Sequence, residues 1–334
     1  MQTRTKIAVV GGGAIGSLLG AIWARAGEDV TQVVRPARVQ ALRAHGLRMS
    51  GIAGDFHVAP AVAAEIPEGT DFAVFTMKSQ DLAEACRMQK PHLGKAVFVA
   101  AQNGVRAPEI VRAELSVEPV SAILLLNSSS LENGEVRYNR EGVTVLGTRD
   151  AALRERLPEL KRLFALVALV FVTDEIEGAM WSKLVINSLT NSVNALTGTP
   201  LNECVRDPLI SEFAVAQLKE SFGVVRAAGI SLINIPGAPM RLFSRALLLP
   251  AFVGKTILRK NLGRDEQASI VTSTLQSLLR KQPTEIDYLN GEFVRLGEQT
   301  GFPTPVNRAI VEAIKRIEKT GKFLSREEIA AMVP

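Results

Sequence analysis

The fold of this chain is decided by the stretch KIAVVGGGAIG, residues 6–16. A short, partly β-branched apolar run ends in glycines and leads into a helix-compatible segment, Ala14 to Ala26, which predicts a strand, a tight turn and a helix. Gly11 permits the turn, Gly13 lets the backbone approach a pyrophosphate, and Gly16 allows the helix to pack closely on the strand. We therefore predict a dinucleotide site at the helix N-terminus, the alternative being a glycine-rich turn without a ligand. The residues assigned to the site are Gly11, Gly12, Gly13, Ala14, Ile15 and Gly16.

The same stretch has a second interpretation, because residues 7–24 carry no charge and follow Arg4 and Lys6, as in a secretion signal. Five glycines interrupt it, which is unusual for the apolar part of such a signal, and a strand–turn–helix explains their positions better. The longest apolar run elsewhere, residues 163–172, is too short to span a bilayer. We expect a cytoplasmic protein without a membrane partner.

Strand-like and helix-like segments alternate through the first half of the chain. Buried strands are predicted at residues 29–34, 71–77 and 96–100, and helices at 37–44 and 80–88. More closely spaced strands follow at 120–126, 135–139 and 143–146, separated by turn signals at Asn133-Gly134 and Glu141-Gly142. A helix at 151–166 and a strand at 167–173 come last. The alternation predicts a parallel, doubly wound sheet, with the closely spaced strands completing one edge.

The second half has a different pattern. After Asp174 the chain is helical in character apart from a Gly/Pro-rich interval at 229–239, and 334 residues are too many for a typical single core. The predicted fold class is α/β: an N-terminal Rossmann domain with a doubly wound sheet at residues 1–173 and an all-helical C-terminal domain at 174–334.

Charge and cysteine content exclude several classes of protein. The 39 Lys and Arg exceed the 34 Asp and Glu, but the excess is spread along the chain, so we expect no nucleic-acid partner. A few cations in a pocket suffice for an anionic cofactor and a carboxylate substrate. Cys86 and Cys204 have no metal or redox spacing and are expected to be buried small side chains, so no metal site is predicted.

The residue after the second strand predicts the cofactor. An NAD enzyme usually carries an acid there, which bonds the ribose hydroxyls, whereas this chain has Arg35, with Arg38 within reach. An arginine pairs with a 2′-phosphate, so we expect NADPH or NADP⁺. The alternative is a solvated surface arginine.

Carbonyl reduction needs a group that protonates the oxygen as hydride arrives. The three histidines fall in no catalytic context, and neither tyrosine begins a Tyr-x-x-x-Lys motif. What remains is the helix WSKLVINSLTN, residues 181–191, where Lys183, Asn187 and Asn191 recur every four residues and so share one face. Asparagine is a poor helix former, so two asparagines inside a helix need a compensating role, which favours a ligand site. The alternative is that this face is simply solvated.

With these motifs the chain resembles the ketopantoate reductase (2-dehydropantoate 2-reductase) family over nearly its whole length. The matching pieces are the glycine motif at Gly11, Arg35, Lys78 after Phe-Thr-Met, Gln102-Asn103-Gly104, the helix at 181–191 and TEIDYLNG at 284–291. The resemblance implies NADPH-dependent reduction of a 2-oxo acid to a 2-hydroxy acid, with 2-dehydropantoate as the favoured substrate in pantothenate biosynthesis.

Roles on the substrate side follow from the resemblance. It implies that Lys183 is the general acid, that Asn187 and Asn191 bind substrate, and that Ser273 holds the substrate from a later helix. In a closed cleft Lys183 would lose solvent, which lowers its pKa, while Glu285 would partly oppose that shift.

The resemblance also implies roles on the cofactor side. Asn103 is expected between nicotinamide and substrate, Lys78 near the cofactor, and Glu285 either on the cofactor or holding Lys183 in place. The C-terminal domain is expected to close over the nicotinamide and, as in many members of the family, to form a homodimer.

Two departures from the family pattern leave the substrate open. Residues 230–262 look longer and more apolar than in the simplest members, and Ser277 stands where the family commonly has Asp. Another branched or aromatic 2-oxo acid is therefore the main alternative, and a non-catalytic NADP(H) sensor is a third.

Overall fold

The computed structural model describes residues 4–131, 135–236, 239–246, 251–262 and 272–333. The chain divides into two compact units, Met1–Ile176 and Glu177–Pro334. The sequence predicts this division after residue 173, a few residues earlier.

The first unit is built on one ten-stranded sheet. Its elements in chain order are β1 (Lys6–Val10), α1 (Ala14–Arg25), β2 (Asp29–Val33), α2 (Pro36–His45), β3 (Leu47–Gly51), β4 (Phe56–Val58), β5 (Ala61–Ala63), β6 (Phe72–Phe75), α3 (Ser79–Gln89), β7 (Val97–Ala100), α4 (Ala107–Leu115), β8 (Val120–Ser130), β9 (Glu135–Gly147), α5 (Leu157–Ala165) and β10 (Leu169–Val172). The strand order is β4-β3-β9-β8-β7-β6-β1-β2-β5, with β10 also paired to β9. All pairs are parallel except β3–β4 and β8–β9. The predicted parallel sheet with helical crossovers is confirmed. The closely spaced strands, now β8 and β9, do not complete its edge as expected, because β3 and β4 lie beyond β9.

The turn predicted at Glu141-Gly142 is wrong. Both residues lie inside β9, where the register against β8 shifts between Leu125 and Asn127. A Cβ on Gly142 would lie 1.8 Å from the carbonyl oxygen of Leu125, so the glycine permits a close backbone approach at an irregularity in the strand. The turn predicted at Asn133-Gly134 falls outside the described residues.

The helix predicted at 151–166 is also interrupted. Residues Ala151–Arg156 form a 3₁₀ helix, and the α-helix begins only at Leu157. Pro158 lies in the first turn of α5, where its missing N–H costs nothing, but a continuous helix through that position would lose a hydrogen bond.

Helix α1 lies in the core of the first unit because strands from both halves of the sheet pack around it. Leu18, Leu19 and Trp23 are fully buried in this cluster. The Trp23 indole donates to the carbonyl of Leu163 at 2.7 Å and meets the Phe164 ring edge-on. The glycine turn at the start of α1 is therefore attached to a rigid helix.

The second unit consists of helices, as predicted. They are α6 (Ile176–Thr197, whose first residue still belongs to the first unit), α7 (Leu201–Arg206), α8 (Pro208–Ala227), α9 (Met240–Ala246), α10 (Ala251–Leu262), α11 (Ser273–Leu279), α12 (Asn290–Thr300), α13 (Pro305–Thr320) and α14 (Arg326–Ala330). Helix α8 contacts α7, α10, α12, α13 and α14 and so forms the centre of the bundle. Among the described residues, none of the helices combines the length and apolar character that a membrane span requires.

Candidate active site

The glycine turn has the geometry of a phosphate loop. Gly11 has φ +118°, which disfavours any other residue, and its N–H donates to Val33 at 2.9 Å. A Cβ on Gly16 would lie 2.0 Å from the carbonyl oxygen of Gly11, whereas a Cβ on Gly13 would meet nothing within 4 Å. The loop is therefore tight where it packs on the protein and open at Gly13, where the sequence predicts a pyrophosphate.

Two side chains that sequence reasoning missed hold this loop. The buried Gln32 donates from Nε2 to the carbonyls of Gly11 (2.7 Å) and Val9 (3.2 Å). Thr76 donates to the carbonyl of Val10 at 3.1 Å. A buried glutamine in the middle of the predicted strand β2 is the signal that could have identified the first of them, since a buried amide must find partners.

Ala14 and Ile15 open helix α1 directly after the loop. The helix has Gly13 as N-cap, without a side-chain cap, and no acidic residue in its first turn. Its first N–H groups therefore point toward a potential anion, and the partial positive charge of the helix end favours one.

Arginines lie on the neighbouring side of the loop. Arg38 donates from Nη1 to the carbonyl of Gly12 at 3.0 Å. Arg35 is the N-cap of α2, and its exposed guanidinium lies 3.9 Å from the carboxylate of Asp81 on α3. Two cations thus follow β2 where the sequence predicts a 2′-phosphate, and Asp81 competes for one of them.

Lys78 and Asn103 follow two adjacent parallel strands, β6 and β7. Lys78 is the N-cap residue of α3, and the Ser79 hydroxyl donates to the backbone carbonyl of Asn103 at 2.9 Å. Because parallel strands end at one edge of a sheet, both residues share that edge with the glycine loop after β1. This is the edge at which open α/β sheets bind ligands.

Lys183 lies on α6 with only 7% of its surface exposed. Burial disfavours the charged ammonium and lowers the pKa of Lys183 to about 8, although the negative charge of Glu285 opposes the shift. The direction is the one expected from the sequence. An amine with this pKa exists in both protonation states near neutral pH, as a proton donor requires.

Glu285 belongs to the same unit as Lys183. It precedes a short 3₁₀ turn, Ile286–Tyr288, and its backbone carbonyl accepts from the N–H of Tyr288 at 2.9 Å. Its charge acts on Lys183. Of the two roles expected for Glu285, this electrostatic effect favours the one on Lys183.

Asn187 follows Lys183 by one turn and is partly exposed. Within the described residues its side-chain amide has no hydrogen-bond partner, so both its oxygen and its N–H groups are available to a ligand. A neutral amide next to the buried amine can bind a carboxylate or a hydroxyl without adding charge.

Asn191 has a different environment. Its Oδ1 accepts from the Ser273 hydroxyl (3.1 Å) and from the Thr274 N–H (3.4 Å) and hydroxyl (3.3 Å), and its Nδ2 donates to the carbonyl of Asn187 (2.9 Å). The structure therefore brings Asn191 and Ser273 together, as expected for one site. Because Oδ1 of Asn191 accepts hydrogen bonds from α11 and one N–H of its amide donates to Asn187, only the second N–H can bind a substrate.

The matches to known families coincide with the two units. The family model "Ketopantoate reductase PanE/ApbA" matches residues 7–151, and the model of its C-terminal domain matches residues 175–318. The 2-dehydropantoate 2-reductase of Pyrococcus horikoshii is 26% identical over 318 residues, a match that covers 95% of this chain and 98% of that protein.

Solved structures agree. The PanE/ApbA family ketopantoate reductase from Ralstonia eutropha JMP134 has a TM-score of 0.79 at 29% identity, covering 95% of this chain and 99% of the other. D-mandelate dehydrogenase, solved with NADH and anilino(oxo)acetate, has a TM-score of 0.81 with the same coverage. At 17% identity the second likeness shows the fold alone.

A phosphate loop on a Rossmann sheet, together with a helical domain that carries a buried lysine, defines an NAD(P)-dependent oxidoreductase. Within that class, the chain belongs to the ketopantoate reductase family.

Proposed function

We propose that this protein reduces a 2-oxo acid to a 2-hydroxy acid with NADPH, and that 2-dehydropantoate is its substrate. The observation that carries the proposal is Lys183, a buried amine whose pKa is lowered to about 8. It lies one turn before Asn187, whose side-chain amide has no hydrogen-bond partner in the part of the chain that the structure describes. The pair offers a proton donor and a neutral hydrogen-bonding group side by side.

Lys183 supplies the proton in this mechanism. As the carbonyl carbon is reduced, negative charge develops on its oxygen, and the Lys183 ammonium both stabilises that charge and transfers a proton to it. Glu285 keeps a larger fraction of Lys183 protonated than burial alone would allow. Asn187 and Ser273 orient the substrate, with the remaining N–H of Asn191 as a further donor.

The glycine loop, Arg35, Lys78 and Asn103 bind the cofactor, which supplies the hydride. The open space at Gly13 and the unpaired N–H groups at the start of α1 fit a pyrophosphate. Arg35 and Arg38, where NAD enzymes carry an acid, favour a 2′-phosphate and therefore NADPH.

A second candidate is the same reaction on an aromatic or another branched 2-oxo acid. Ser277 stands where the resemblance to the family leads us to expect Asp, and the structural neighbour D-mandelate dehydrogenase was solved with anilino(oxo)acetate. Steady-state rates with NADPH distinguish the candidates when 2-dehydropantoate, 3-methyl-2-oxobutanoate and phenylglyoxylate are compared. The highest kcat/KM for 2-dehydropantoate supports the first candidate, the highest for phenylglyoxylate or 3-methyl-2-oxobutanoate supports the second, and no oxidation of NADPH with any of the three contradicts both.

A further inference from the structure

Helix α11 is capped by side chains from another helix. Its N-cap residue, Thr272, makes no side-chain hydrogen bond to the helix's own N–H groups. Instead, the Thr274 N–H donates to Asn191 Oδ1, and the Thr272 N–H (3.2 Å) and hydroxyl (2.9 Å) both donate to Asn194 Oδ1. Asn191 and Asn194 are neighbours on one face of α6, about 80 residues earlier in the chain.

The orientation of both amides is determined by their partners. Each Oδ1 faces backbone N–H groups, and each Nδ2 faces a backbone carbonyl, that of Asn187 for Asn191 and that of Thr199 for Asn194. Exchanging oxygen and nitrogen would set donors against donors and acceptors against acceptors, so only one arrangement is possible.

Burial makes these contacts rigid. Asn194 has no exposed surface, Thr274 has 2%, and Asn191 and Thr272 have 7% each. A buried amide that loses its partners is costly, so the segment 272–274 is held against α6. Ser273, in the middle of that segment, donates its hydroxyl to Asn191 at 3.1 Å and is thereby held beside the face that carries Lys183 and Asn187.

We propose that Asn194 is a positioning residue for substrate binding. Together with Asn191 it fixes the first residues of α11, so that the Ser273 hydroxyl is presented to the substrate in one orientation. Asn194 itself does not touch the substrate. This inference rests on the proposed function, because it assumes that Ser273 binds the 2-oxo acid.

The test compares KM and kcat at saturating NADPH, with whichever of 2-dehydropantoate, 3-methyl-2-oxobutanoate and phenylglyoxylate the wild type reduces best. Asn194→Ala should raise KM about tenfold, which is the loss expected when one hydrogen bond to a charged group is misplaced. Its kcat should change less than about threefold, since Lys183 is untouched, and its NADPH dissociation constant should stay within about twofold.

Conservative and control variants separate positioning from stability. Thr272→Ser keeps the hydroxyl and should retain wild-type KM, whereas Thr272→Val removes it and should raise KM, which covers the case in which Asn194→Ala does not fold. Ser192→Ala is the matched control: Ser192 is fully buried on the same helix but bonds Gln217 on α8, so its loss should lower Tm without raising KM.

The outcomes are distinct. Unchanged KM in Asn194→Ala and Thr272→Val, or an equal rise in Ser192→Ala, would overturn the positioning role while leaving the proposed function intact. If the wild type reduced no 2-oxo acid, the proposed function would fail, and the positioning role with it.

Discussion

At the scale of single residues, the candidate site contains two pairs of opposite charge, one with a buried amine and the other exposed to solvent. Lys183 is buried and Glu285 acts on it, while Arg35 and Asp81 form an exposed pair beside the glycine loop. In the proposed function the first pair controls a proton, and Arg35 of the second binds the 2′-phosphate of the cofactor. Each can therefore be tested by removing one charge at a time.

The pH dependence of turnover should follow the pKa of Lys183. Below about pH 8 the amine is protonated and can act as the acid, so kcat for reduction should fall as pH rises through that value. Glu285→Gln removes the carboxylate that raises this pKa, so the inflection should move to lower pH. The kcat–pH profiles of both proteins measure this. An inflection that stayed in place in Glu285→Gln would assign Glu285 to the cofactor instead.

Removing the charge of Arg35 and removing the charge of Asp81 should change the affinity for NADPH in opposite directions. Arg35→Ala should weaken NADPH binding by about 10- to 100-fold, the value of one hydrogen-bonded ion pair, and leave NADH binding nearly unchanged. Asp81→Asn removes the competitor for Arg35 and should tighten NADPH binding by a few fold at low salt.

Fluorescence titrations with both cofactors measure these changes. Glu84→Gln, an exposed acid on the same helix, controls for the change in net charge. Equal effects on NADH and NADPH would place the 2′-phosphate elsewhere.

At the scale of the elements, the sequence predicts regular structure where one pattern dominates. One such case is the strand, glycine turn and helix of residues 6–25, where the strand, turn and helix preferences agree. Another is α6, where Lys183, Asn187 and Asn191 recur every four residues. Strands β3 and β4 escaped prediction because they are short and mix Arg, Ser, Gly and His with apolar residues, and β5 because it has only three residues, Ala-Val-Ala. The contacts of Asn191 and Asn194 escaped for another reason: their partners lie on a helix about 80 residues away, which no local pattern reports.

The two glycines of the loop should behave differently when a methyl group is added. Gly13→Ala should leave Tm nearly unchanged, because a Cβ there meets no atom within 4 Å. It should weaken NADPH binding, because the added methyl group would keep the pyrophosphate away from the loop backbone. Gly16→Ala should lower Tm, because its Cβ would collide with the Gly11 carbonyl at 2.0 Å. Thermal unfolding and NADPH titration measure both. Unchanged NADPH affinity in Gly13→Ala would contradict the assignment of the loop.

At the scale of the whole molecule, the buried amine costs stability. Its pKa is about 8 in the folded protein and 10.5 in the unfolded chain, so between these values the unfolded state binds more protons and stability rises with pH. Below pH 8 the full penalty applies, up to about 3 kcal/mol.

Lys183→Met should therefore stabilise the protein at pH 7. The difference in the free energy of unfolding between the variant and the wild type should shrink as pH rises from 8 to 10.5, because the wild-type lysine then becomes neutral in both states. Urea unfolding at pH 7 and pH 10 measures this difference. If the variant were less stable than the wild type at pH 7, the surroundings of the Lys183 ammonium would more than offset the cost of burying its charge.

The central claim is that Lys183 protonates the substrate carbonyl. Its most direct test is kcat at saturating NADPH for wild type, Lys183→Ala and Lys183→Arg, with circular dichroism to verify folding. Lys183→Ala should lose about 10²- to 10⁴-fold in kcat, the usual share of general acid catalysis, with a smaller change in NADPH affinity. Lys183→Arg should recover little, because arginine keeps the charge but holds its proton too tightly. If Lys183→Ala kept more than about a tenth of wild-type turnover, Lys183 would not be the acid.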